Sequence, residues 1–110
     1  MSNKRILKKR VRQACGDLAA EILIARHTVP GIDKAAVTKI ISDIASLQCD
    51  TLANCSFSFD RTPADFETRQ AYRKARAEYN HKAYEKIRND FRDRVVEIVK
   101  EMNAALPKKG

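Results

Sequence analysis

The sequence predicts an all-α fold: an antiparallel bundle of three or four helices with a long C-terminal helix. Three observations carry this. Apolar residues recur at spacings of three and four through most of the 110 residues, which places them on one face of a helix. Glycine and proline number three each, too few for long irregular stretches. Where the two adjoin, at Pro30-Gly31, the apolar pattern stops and restarts. The length fits a single domain over residues 1–110, enough for one modest core without metal or disulfide support.

The first helix is expected over about residues 3–27. Leu7, Val11, Ala14, Leu18, Ile22 and Ala25 step by four and three into one stripe. Gly16 lies inside it and costs about 1 kcal/mol relative to alanine, which suggests close approach of a neighbouring helix or a mild bend. Pro30 cannot continue the hydrogen-bond ladder, so the helix ends there.

The second helix is expected over residues 33–54. Asp33 is placed to cap it, its carboxylate accepting from free amides of the first turn. Ile32 and Val37 flank the cap as a hydrophobic staple. Val37, Ile40, Ile41, Ile44, Leu47, Thr51 and Leu52 form the buried face. The β-branched residues are modest helix formers, but the period is nearer 3.6 than 2.

From Asn54 to Thr62 the period is lost. Phe57-Ser58-Phe59 alternates like a strand with nothing to pair with, and reads as an extended connection whose rings tuck over the bundle end. Thr62-Pro63-Ala64-Asp65 reads as a helix start, with Thr62 as cap, Pro63 pre-shaped for the first turn and Asp65 closing a capping-box-like pair.

The last helix is expected over residues 63–106, with a tail at 107–110. No glycine or proline lies between Pro63 and Pro107. Phe66, Tyr72, Ala75, Tyr79, Ala83, Ile87, Phe91, Val95, Ile98, Met102 and Leu106 form its stripe. A helix of that length spans about 66 Å, against a diameter of about 34 Å for a compact domain of this size. The two shorter helices cover about half of it. The helix therefore either breaks near Asn80-His81 and folds back, or runs on and asks for another chain. Asn80 is a poor interior residue but no breaker, and no turn residues are supplied, which favours the continuous form.

Charge is unevenly placed. The net value is +8, with +6 carried by the first twelve residues and +4 by residues 61–94, while residues 13–60 are net acidic. Such asymmetry bears on polyanionic partners and not on fold. Lys4, Arg5, Lys8, Lys9 and Arg12 share one broad helical face and could neutralise phosphates. Positive charge at a helix start opposes the dipole, which hints at a use beyond solubility. Arg69, Arg73 and Arg76, with Tyr72 and Tyr79 alongside, form a second candidate, because arginines interleaved with aromatics can hold backbone and stack bases. The plainer reading is self-pairing through Asp65–Arg69, Glu78–Lys82, Lys86–Asp90 and Asp90–Arg94, all four apart, with Tyr72 and Tyr79 as core or interface.

Other chemistry finds little support. Cys15, Cys49 and Cys55 lack metal-site spacing and are odd in number, so they read as buried, reduced thiols. His27 and His81 have no ligand-spaced partner, and His27 suits a helix C-terminus. Asp17 and Glu21 lie one turn apart, as surface acids do. There is no phosphate loop, nucleophile motif or cofactor motif, so an enzymatic reading has no residues to name. No apolar run approaches a membrane span, and no secretory signal follows the basic start, which predicts a cytoplasmic protein.

Four strings, Arg5-Ile6-Leu7-Lys8-Lys9-Arg10, Cys15-Gly16-Asp17, Phe57-Ser58-Phe59-Asp60 and Ala104-Ala105-Leu106-Pro107, resemble small uncharacterised all-helical proteins of Bacteroidetes. The resemblance spans nearly the whole chain. It implies a helical bundle in a bacterial cytoplasm and brings no activity or site residues. The sequence thus leads to a non-enzymatic helical interaction module, self-associating through the C-terminal helix. Its rival is a nucleic-acid-binding protein using the basic helix start and the surface from Arg69 to Arg76.

Overall fold

The protein is described by a computed structural model covering residues 3–107. Among these residues there are three α-helices: α1 (Asn3–Thr28), α2 (Lys34–Asn54) and α3 (Arg69–Ala105). A single 3-10 turn, Pro63–Asp65, precedes α3. The Lys108-Lys109-Gly110 part of the expected tail lies outside the described residues.

The fold is an all-α bundle in which α2 packs against both other helices. The Asp33 amide donates to the Ala105 carbonyl at 3.1 Å, which brings the end of α3 to the turn joining α1 and α2. Helices α1 and α3 therefore run parallel, and α2 runs against both. Gly31 makes the turn with φ 82, a left-handed conformation that glycine adopts without a Cβ penalty. Asp33 caps α2 as its sequence position demands, its carboxylate accepting from the Ala36 amide at 3.1 Å.

The core sits where the three helices overlap. Leu47, Val37 and Ile40 of α2 are fully enclosed, with Val11, Cys15 and Ile22 from α1 and Ile98 and Ala105 from α3. Cys15 joins the α1 stripe as a small apolar residue. No α3 residue before Ile87 is buried. The molecule is a rod of 67 × 21 × 16 Å with a radius of gyration of 19.2 Å, against about 13 Å for a compact domain of this length.

The last helix starts later than the sequence suggests. Thr62 and Asp65 do pair, the Thr62 amide donating to Asp65 Oδ2 at 2.9 Å, but they close only the 3-10 turn. Phe66 is extended, and the working cap is Thr68, whose hydroxyl accepts from the Ala71 amide at 3.0 Å. The delay frees Phe66 to fold back, its ring 6.2 Å from Phe59 and 5.7 Å from Tyr72. From Arg69 the helix runs unbroken through Asn80-His81. One weak helix former costs well under 1 kcal/mol, which cannot break a helix held at one end by a core.

Fifteen or so residues of α3 thus project beyond the bundle as an arm, and the connection 55–68 lies along it. Phe57 meets Tyr79 and Tyr84, and Phe59 meets Phe66, Tyr72 and Tyr79, with centroids 5.0–6.2 Å apart. These distances suit tilted and edge-on aromatic packing. Tyr72 and Tyr79 are thereby covered from within the chain. The rings do not cap the bundle end as expected; they clothe the arm.

Three other expectations change. Gly16 is solvent-exposed, with nothing within 4 Å of where a Cβ would stand, so it serves no close helix approach. Cys15 and Cys55 are buried, but Cys49 is exposed, because it falls off the α2 core face. The core stripe of α3 ends at Ala105, and Leu106 is half-exposed beyond the helix.

Candidate functional site

The two basic features, far apart in sequence, meet where both α1 and the arm begin. A cleft of about 450 Å³ opens there, with Lys4 from α1, Ser58 and Phe59 from the connection, and Tyr72, Arg76, Asn80 and Tyr84 from α3. Helix α1 places Lys4 because the first turn reaches the level of Tyr84. Lys4 donates to the Phe57 carbonyl, and its ammonium lies 4.5 Å from the Phe57 ring centroid. An ammonium has three donors, so one such bond leaves capacity for an anion.

Helical geometry explains the rest. Counting back from the buried Ile87 by seven, eleven, fourteen and eighteen gives Asn80, Arg76, Arg73 and Arg69. At 3.6 residues per turn these lie within about 40° of Ile87. They continue the core stripe past the end of α1, where the arm's face is polar and basic. Tyr72 and Tyr79 fall on one side of this line, under the connection, and Tyr84 falls on the other.

The expected self-pairing is not the one formed. Among the described residues the ion pairs are Lys39–Asp43, Lys39–Glu101, His81–Glu85, Arg94–Asp50 and Lys100–Glu97. None of the four pairs expected along the last helix is among them. Arg94 turns across to Asp50 of α2 at 3.0 Å instead. Arg69, Arg73 and Arg76, with Lys4, Arg5, Lys8, Lys9 and Arg12, make no ion pair among the described residues. Arg5, Lys9 and Arg12 stand exposed, whereas Lys4 and Lys8 are half-buried towards the connection.

Burial keeps the phenol and the thiol beside these cations in their neutral, protonated forms. Burial pushes the Tyr84 phenol up, with Cys55 adding to the effect and Arg88 opposing it, so the hydroxyl remains a donor. Burial likewise raises the Cys55 thiol, against the pull of Lys8 and Lys4. A protonated thiol there is a poor nucleophile. The arrangement can hold an anion and offer a ring face; it has no general base poised beside a nucleophile.

A second depression, at the opposite end between α2 and α3, has Lys39 bridging Asp43 at 2.9 Å and Glu101 at 3.2 Å. Its charges answer one another. Tyr84, Ser58 and Asn80 were absent from the sequence candidates, although the stripe spacing from Ile87 was available to find Asn80.

No family model, curated protein or solved structure matches this chain. Among the described residues no helix is long and apolar enough to cross a membrane.

Proposed function

We propose that this protein binds nucleic acid at the cleft between the start of α1 and the arm of α3. One observation supports the reading above others: Lys4 and Arg76, members of two basic groups separated by most of the chain, line one cleft with Phe59, Tyr72 and Tyr84. Cations without acidic partners neutralise phosphates and release counterions, and this gives affinity that falls steeply with salt. Aromatic rings beside them give bases a surface on which to stack.

The test is a mobility shift at low and moderate salt with mixed single- and double-stranded nucleic acid, comparing the native chain with a Lys4→Glu, Arg76→Glu variant. The native chain should bind at low salt, and the variant should lose that binding with its helical spectrum intact. Absence of any shift at low salt would falsify the reading. The purified protein offers a companion check: three Tyr and no Trp make its own absorbance weak, so carried nucleic acid dominates the spectrum.

Self-association through α3 keeps support from a different observation. Val96 and Val99 stand 46% and 40% exposed on that helix. The covered arm, however, lowers the demand for a second chain that the helix length alone suggested. Light scattering on a sizing column separates the two: a concentration-independent monomer removes self-association and leaves nucleic-acid binding standing.

A further inference from the structure

The geometry points to single-stranded nucleic acid, bound with its phosphates along Arg69, Arg73, Arg76 and Lys4 and an unpaired base against Tyr84. This inference rests on the nucleic-acid reading above and narrows its ligand.

Shape excludes the obvious alternative. A projecting basic helix invites insertion into the major groove of a duplex, which is about 12 Å wide and takes one helix of about 10–12 Å. The arm is not a bare helix. Residues 55–68 lie along it, with Phe57 and Phe59 packed on Tyr72, Tyr79 and Tyr84. Helix plus connection is too wide for the groove. Removing the connection would bare the aromatic face to water.

The chemistry of the cleft agrees. Lys4 and Arg76 line the cleft, Arg73 and Arg69 continue from Arg76 along the same face of α3, and a single backbone can follow one line. Duplex phosphates run as two ridges on either side of a groove. A paired base also presents no free face to a ring, whereas an unpaired one does. Tyr84 lies across the arginine line from Tyr72 and Tyr79 and lines the cleft, with the Phe57 ring edge-on against it, and its phenol stays protonated. The Arg88 guanidinium lies over the Tyr84 ring, 5.7 Å from its centroid, and reinforces the positive potential there.

The experiment measures anisotropy of a short fluorescein-labelled oligothymidylate and of a hairpin duplex with the same number of phosphates, together with the protein's own tyrosine emission. The native chain should bind the single strand at least about tenfold more tightly than the duplex, a typical worth of one stacked base. Tyrosine emission should fall on binding, because every Tyr of the chain (72, 79 and 84) lies in or beside the cleft. The logarithm of affinity should fall with that of salt at a slope of about −3 for four phosphates on a single strand. Equal or tighter duplex binding overturns the inference while leaving the nucleic-acid reading intact. So does single-strand binding with unchanged tyrosine emission, or equal competition by an abasic strand. Failure of both probes to bind at low salt removes the parent reading and this one with it.

Discussion

The ring of Phe57 stands edge-on to the ring of Tyr84, their centroids 5.0 Å apart and their planes at 85°. This contact fixes the connection at the level where α1 begins, and Lys4 lies against the same Phe57 ring. Three segments thus converge on one side chain. Phe57→Ala should cost about 2 kcal/mol, less than a fully buried phenylalanine because the ring is half-exposed. Chemical denaturation measures the loss. Hydrogen exchange locates it: amides in the first turns of α3 should lose protection more than those near Leu47. Uniform loss would show that the connection does not hold the arm.

Gly16 offers a change in the opposite direction. It lies in the middle of α1 with open space where a side chain would go. Gly16→Ala should therefore stabilise the protein by about 0.5–1 kcal/mol through helix propensity and reduced unfolded-state freedom. A thermal melt with unchanged helical signal is sufficient to read it. Destabilisation would mean that the site is crowded.

The thiols divide by burial. Cys49 is exposed, while Cys15 and Cys55 are enclosed, and burial raises both of their thiol pKa values. An aromatic disulfide reagent at neutral pH should label one thiol quickly in the native protein and all three only on unfolding. Cys49→Ser should abolish the fast phase. A second fast thiol would show that the core opens more readily than its packing implies.

The tie between α2 and α3 carries an acid-side signature. The Lys39 hydrogen bond holds the Asp43 carboxyl below its usual value of 3.8, with Glu101 reinforcing it. The unfolded chain takes up that proton first as pH falls. The contribution to stability is therefore present above pH 3.8 and lost as pH drops through the lower folded value. Asp43→Asn should reduce the acid-side decline in melting temperature and leave its shape near neutrality unchanged. The effect should be small, because both side chains stand partly in water. A variant with the native acid profile would show that this pair carries none of it.

Much of the fold was legible because burial leaves a periodic mark. The Asp33 cap, the turn at Pro30-Gly31 and the stripe from Val37 to Thr51 need only local rules, and the structure has all three. The start of α3 was not legible. Thr62-Pro63-Ala64-Asp65 satisfies every local rule for a helix start, yet the chain departs at Phe66 because that ring gains more from Phe59 and Tyr72 than from a helical position. The Arg94–Asp50 pair was hidden for a similar reason, since the partner lies on another helix. For the cleft, both basic groups and their aromatic neighbours could be named from the sequence, but not their convergence.

An all-helical chain, a long final helix that nothing breaks, and two basic clusters can be read from the order of residues alone. These depend on spacing, capping and composition, which act within a few turns. What covers the projecting half of α3 depends on contacts between segments distant in the chain. The connection 55–68 covers its aromatic side, because a chain segment already tethered at both ends loses little further freedom on packing there. The parallel run of α1 and α3 brings Lys4 and Arg76 together in one cleft.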